Sequence, residues 1–161
     1  MSDPIEIAPL EHYPQFVEAC SRWDHTEWGG RTGHNLNEAR RLFQRAACEH
    51  GLPVTRVAID GDRLVGMASL IPREGAAPTD RYPCLASVFV DPAYRRRGIA
   101  GLLIEAVARE ARTRGKHRLC LFTSDQQTLY RRHGFETTGT IDYNGLAYTI
   151  MARELGARGA L

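Results

Sequence analysis

The chain has 161 residues, 43% of them apolar and 25% charged, with a formal net charge of +2. That length suits a single domain, residues 1–161, with a core of its own, and the composition is that of a globular protein rather than a disordered or fibrous one. So small a net charge excludes a surface coated in basic side chains, and no stretch approaches the ~20 apolar residues a membrane-spanning helix needs.

The opening "MSDPIEIAPLEH" has no basic segment running into an apolar one, so no secretory leader is expected. "IEIAPL" (5–10) alternates like a short strand, and Tyr13, Phe16, Val17, Cys20 and Trp23 then recur at helical spacing. The polar and aromatic stretch "WDHTEWGG" (23–30) reads as a junction between two helices. "NLNE" (35–38) is a capping box with Asn35 as cap and Glu38 three residues on, opening a helix that lines up Ala39, Leu42, Phe43, Ala46 and Ala47. Gly51 is expected to end it.

Two strand-like runs around Gly61–Asp62 predict a hairpin over 55–71. "CLASVFV" (84–90) is nearly apolar throughout, which predicts a central strand buried on both faces, stopped by Pro92. From Ile99 the apolar positions 99, 102, 103, 106, 107 and 111 form a helical stripe. The pairs Glu105–Arg109 and Glu110–Arg114 add opposite charges four residues apart. "RLCLFT" (118–123) is a further buried strand, followed by a short helix to Gly134 capped by Ser124 or Asp125, and a closing hairpin turns at 142–145. Loose structure is expected only at 72–83 and 156–161. The order βααβββαβαββ contains one βαβ unit, which demands parallel pairing of strands 84–90 and 118–123, while the hairpins add antiparallel neighbours. The fold class is therefore α/β, with a mixed, mostly antiparallel sheet and helices on both faces.

Cysteines 20, 48, 84 and 120 are scattered, with no CxxC or Cys/His ligand spacing, so a reduced cytoplasmic chain without disulfide or metal is expected. Against that plain background "YRRRGIAG" (94–101) stands out, because arginines crowd the start of a helix whose macrodipole is already positive there. A strand, a glycine-containing loop and a helix N-terminus make an anion pocket, since the first helical N–H groups lack intrahelical partners. Neither the dinucleotide GxGxxG nor the GxxxxGK[ST] phosphate loop is present.

"VFVDPAYRRRGIA" resembles the acetyl-CoA signature of the GCN5-related N-acetyltransferases, with Arg95, Gly98 and Ala100 at its defining positions. "LYRRHGF" (129–135) is similar to a second motif of that family, and "TSDQ" (123–126) to a subgroup of it whose segment tilts toward peptide-like amines. The likeness extends over about residues 52 to 155 and implies that family's fold and a primary-amine acetyltransferase using acetyl-CoA, with no metal. By this resemblance the amides from Arg96 through Arg97, Gly98, Ile99 and Ala100 to Gly101 hold the pyrophosphate. The pantetheine pairs with Val88, Phe89 and Val90, and the thioester lies where 84–90 splays from 118–123. Tyr130 matches the general acid, and the Val88 N–H the oxyanion donor.

Many relatives place a glutamate on the strand before the signature, whereas this one reads Leu85, Ala86, Ser87, Val88. Proton removal is left to water, to Ser87 as a relay, or to the 23–30 stretch, where Asp24, Glu27 and Trp28 are candidates for the amine-binding wall and Glu27 for the cationic contact. His133 suits a helix end. Cys84 and Cys120 lack a sequence-adjacent histidine, which favours direct attack by the amine. A non-catalytic acyl-CoA-binding module on the same scaffold stays open as the second reading. Nucleic-acid binding through Arg95–Arg97, Arg131 and Arg132 lacks a recognised motif. Homodimers occur among relatives, so self-association is a further expectation.

Overall fold

The computed structural model describes residues 4–48, 51–72, 83–143 and 145–156. The segments expected to be loose lie almost wholly outside these. Seven strands, β1 (Glu6–Pro9), β2 (Val54–Asp60), β3 (Arg63–Ile71), β4 (Cys84–Val90), β5 (Arg118–Thr123), β6 (Glu136–Tyr143) and β7 (Leu146–Glu154), form one sheet in the order β1-β2-β3-β4-β5-β7-β6. Every neighbouring pair is antiparallel except β4 and β5, as the crossover helix between them requires.

Helices α1 (Val17–Thr32) and α2 (Leu36–Cys48) cover one face, packing on Val57, Ile59, Leu64 and Met67. Helix α3 (Ile99–Thr113) and the short α4 (Gln127–Arg132) cover the other, over Ala58, Val65, Ala68, Leu70 and Leu85. Strands β2 and β3 feed both layers at once, Val57, Ile59 and Met67 one and Ala58, Val65 and Ala68 the other, which is why both are largely buried.

Local chemistry explains several boundaries. Pro14 opens a 3-10 turn rather than the predicted start of α1, so Tyr13 and Phe16 precede the helix proper. The capping box forms as read, with Glu38 N–H donating to Asn35 Oδ1 at 2.9 Å and Asn35 N–H to Glu38 Oε1 at 3.4 Å. Helix α4 starts at Gln127, and neither Ser124 nor Asp125 caps it. Thr123 Oγ1 instead takes the Gln126 N–H at 2.9 Å and closes the turn before the helix.

The apolar stripe of α3 is rotated from the predicted one. Leu102 stands 48% exposed, and Ile104 and Ala108 are buried beside Ile99, Leu103, Val107 and Ala111. Glu110 pairs with Arg114 at 2.8 Å as expected, but Glu105 ignores Arg109 and takes Arg153 of β7 in a two-pronged contact at 2.7 and 3.2 Å. A planar guanidinium fixed by the sheet offers two bonds where a helical neighbour offers one flexible contact.

Gly66 shows how tightly α3 sits on the sheet. A Cβ there would lie 3.0 Å from Leu103 Cδ1, 3.2 Å from the Phe89 carbonyl oxygen and 3.4 Å from Ala58 Cβ. Gly66→Ala is expected to cost about 1–3 kcal/mol through overpacking, read as a fall in Tm of roughly 2–4 °C per kcal/mol.

Candidate active site

Strands β4 and β5 share one register pair, Cys84 with Cys120, backed by the Cys120 N–H to the Pro83 carbonyl at 3.0 Å. Beyond that point they separate. The opening between them leads into a cavity of about 1140 Å³, above the usual range of roughly 300–1,000 Å³ for drug-sized ligands. This corrects the expectation of a strand buried on both faces. Cys84 to Ala86 and Val90 are buried, but Ser87, Val88 and Phe89 are half-exposed because they front the opening.

One end of the cavity is built by the loop from β4 to α3. Asp91 Oδ1 accepts the Ala93 N–H at 2.9 Å and the Tyr94 hydroxyl donates to Asp60 at 2.7 Å, which pins a 3-10 turn over Pro92–Tyr94. Arg96 (φ 65°) and Gly98 (φ 78°) then adopt left-handed backbone, the conformation that lets the chain reverse into α3. The first intrahelical bond runs from the Leu102 N–H to the Gly98 carbonyl, and no side chain caps the helix. The amides of Ile99, Ala100 and Gly101 therefore have no partner within the helix, at a wall that Arg95, Arg96, Gly98, Ile99, Ala100 and Gly101 all line. Arg97 does not line it, its guanidinium lying over the Tyr94 ring at 4.8 Å. Arg95 has structural partners as well, the Val90 carbonyl at 3.0 Å and the Phe89 ring at 5.5 Å. Arg132 and His133 line the cavity as well. The imidazole sits so close over Gly101 that a Cβ there would approach its Cε1 to 2.8 Å.

The opposite end is acidic and aromatic. The stretch 23–30 is no junction but the C-terminal half of α1, which continues through Gly29 and Gly30 to Thr32 and stops where Gly33 turns left-handed. Asp24, Glu27, Trp28 and Arg31, spaced i, i+3, i+4 and i+7, consequently share one face, and that face lines the cavity. Arg31 reaches across to Ser124 Oγ at 3.2 Å. Opposite stand Asp125 and the edge-on pair Tyr143 and Tyr148, with ring centroids 6.4 Å apart. Arg31, His34 and the two tyrosines were not singled out from the sequence, and Asp125 only as a helix cap and as part of the TSDQ segment. Arg31 was reachable by extending the helical spacing from Asp24, whereas the tyrosines depend on how the β6–β7 hairpin curls over the opening.

Tyr130 also lines the cavity, 9% exposed and packed edge-on against Phe135 at 5.9 Å. Cys84 and Cys120 are buried below the fork and do not line the cavity, and burial pushes the Cys120 thiol above its ordinary range, against a thiolate role. Strand β4 kinks beside Tyr130's side of the cavity. Met67 pairs with Phe89 and Ser69 with Ala86, so Ser87 and Val88 together face Ala68 in a β-bulge, with Ser87 at φ 55°. Its hydroxyl donates to Asp24 Oδ1 at 2.7 Å. The half-buried Asp24 carboxyl is raised above the usual carboxylate range, chiefly by burial, against the lowering influence of Ser87, His34 and His25.

The model of the acetyltransferase (GNAT) domain matches residues 53–137, more than half of the chain, and the protein belongs to that family. Among curated proteins it is 33% identical over 87 residues to N-acetyltransferase 8 of Homo sapiens, covering 52% of this chain and 38% of that one. It is 36% identical over 87 residues to the mycothiol acetyltransferase of Rhodococcus erythropolis (strain PR4 / NBRC 100887), covering 54% and 26%. The aligned part thus spans well under half of either relative. The crystal structure of an aminoglycoside 6'-N-acetyltransferase complexed with coenzyme A shares the fold over 96% of this chain and 99% of its own, with a TM-score of 0.75 at 16% identity.

Proposed function

We propose that this protein transfers an acetyl group from acetyl-CoA to a primary amine by direct attack of the amine on the thioester. The observation that carries the reading is the fork: β4 and β5 pair at Cys84–Cys120 alone and open toward Tyr130, with an uncapped helix N-terminus at one end of the same cavity. The diphosphate of coenzyme A belongs at the amides from Arg96 to Gly101, where the helix dipole and Arg95, Arg96 and His133 favour an anion. The amide-rich pantetheine arm belongs along Val88 to Val90, whose exposed edge has lost its β5 partner. That places the thioester carbonyl by the Val88 N–H, which stabilises the oxyanion, and the sulfur near Tyr130.

Tyr130 serves as the general acid, since a phenol of pKa ~10 can protonate a thiolate whose thiol lies near ~8.5. Glu27 and Trp28, on the acidic and aromatic wall, receive the cationic acceptor. Asp125 across the opening adds to the same negative field. The alternative, a binding module without turnover, predicts coenzyme A affinity with no transfer. Thiol release from acetyl-CoA, measured against a tetrapeptide with a free N-terminus, spermidine and kanamycin, separates the two. Amine-dependent release supports the enzyme, and tight coenzyme A binding with no release on any amine supports the module.

A further inference from the structure

Strand β4 carries no acid in its forked half, yet an ammonium must lose a proton before it can attack. Lysine-type amines have a pKa of ~10.4 and α-amines ~8, so at neutral pH most of the acceptor is protonated. We infer that Asp24, delivered from helix α1 and held by Ser87, is the catalytic proton acceptor that takes the place of a strand carboxylate. The inference rests on the transferase reading above and deepens it.

Three independent features converge on Asp24. The first is position: it lines the cavity and is bonded at 2.7 Å to the residue preceding Val88, beside the expected oxyanion donor. The second is the backbone. Ser87 is a non-glycine residue at φ 55°, a conformation costing roughly 1–2 kcal/mol, and the bulge that holds it breaks the strand's alternation in favour of the Asp24 contact. Strain of that kind collects at functional sites. The third is environment. Asp24 is half-buried and, among the described residues, makes no ion pair with lysine or arginine, so its negative charge is poorly compensated and its affinity for a proton raised. Glu27 on the same face is exposed, which suits docking of a cation better than accepting its proton.

The proton balance closes. The acceptor ammonium passes one proton to the Asp24 carboxylate, and the neutral nitrogen attacks the carbonyl carbon. When the C–S bond breaks, the Tyr130 phenol protonates the thiolate and regains a proton from the amide nitrogen. Asp24 then returns its proton to solvent. Ser87 is a positioning residue, whose bond to Oδ1 leaves Oδ2 for the acceptor's proton.

The groups around Asp24 that titrate or carry charge are Cys20, His25, Glu27 and Arg31 on α1 and His34 from the turn after it. Asp125, Tyr130, Arg132, His133, Tyr143 and Tyr148 line the same cavity, and the forked half of β4 brings none. The test compares wild type, Asp24→Asn, Asp24→Glu and Ser87→Ala between pH 4 and 10, using whichever of the three amines above gives the fastest release. Asp24→Asn is expected to lower kcat/KM at pH 7 by about 10²-fold or more. Its rate should then rise with pH as the free-amine fraction grows, coming within about tenfold of wild type near the amine's own pKa. Asp24→Glu should restore part of the neutral-pH rate, and Ser87→Ala should move the acidic limb of the wild-type profile.

Stability provides a readout free of turnover. A carboxyl whose folded pKa is raised binds more protons folded than unfolded, so stability falls as pH climbs through the window above the ordinary value near 3.8. Asp24→Asn should therefore have a Tm at pH 7 equal to or above wild type, and the Asp24 carboxyl carbon should titrate above the ordinary aspartate value by NMR. An acidic limb unchanged in Asp24→Asn would mean that another group accepts the proton, and would overturn the inference while leaving the transferase intact. A lower Tm with a loss equal at every pH would make the contact a structural tie and overturn it too. If wild type binds coenzyme A but acetylates none of the amines, the transferase reading falls and this role falls with it.

Discussion

Tyr130→Phe is expected to lower kcat about 10²- to 10⁴-fold while coenzyme A binds about as tightly as to wild type. The two halves of that result come from different parts of the same side chain. The ring belongs to the core: it packs edge-on against Phe135 and sits in the cluster under α3 with Leu103, Val107 and Leu129. Phenylalanine keeps that packing, so the α4 segment and the cavity wall should survive. What is removed is the hydroxyl, the group proposed to protonate the departing thiolate. Without it coenzyme A must leave as the anion, and the barrier rises by the value of one general acid. Stopped turnover read with calorimetry of coenzyme A checks both halves. Undiminished turnover would take the acid role from Tyr130, and a matching fall in Tm would reduce it to a core aromatic.

Ala100→Glu should abolish coenzyme A binding, by about 100-fold or more, without destabilising the free protein. A carboxylate in the first turn of a helix is favoured by the macrodipole, by about 0.3–1 kcal/mol. Ala100 is half-buried at the cavity wall, in the turn whose amides lack helical partners. The same charge that suits the helix would occupy and repel the site where a diphosphate is proposed to sit. Each tenfold loss corresponds to about 1.4 kcal/mol, well within what placing a carboxylate against a multiply charged phosphate costs at short range. Opposite signs for stability and affinity are difficult to obtain from general damage. Equal coenzyme A affinity in the variant would move the diphosphate away from α3 and remove the basis of the proposed function.

Much of the fold could be read locally. Hairpin turns, the capping box, and the run from β4 through a glycine loop into α3 are properties of short segments, and each forms within a residue or two of its expected place. The errors are local rules overruled from a distance. Leu102 looks like a core residue in the α3 stripe, but the sheet takes Ile104 and Ala108 instead. Glu105 has a good helical partner in Arg109, but a guanidinium from β7 offers better geometry. The 23–30 stretch looks broken because it contains Gly29 and Gly30. It stays helical because Trp23 and Trp28 pack on the sheet-facing cluster, and tertiary burial outweighs the roughly 1 kcal/mol that each glycine costs a helix.

The sequence by itself therefore determined the βαβ unit, the glycine turn that opens α3 and the family, because these depend on residue types at fixed short spacings. Only the tertiary structure decided which carboxylate meets the forked strand. Asp24 and Ser87 are 63 residues apart and meet through a bulge and the packing of α1 on β4. No periodicity or motif encodes such a meeting, because it depends on how far two elements slide before their side chains interlock.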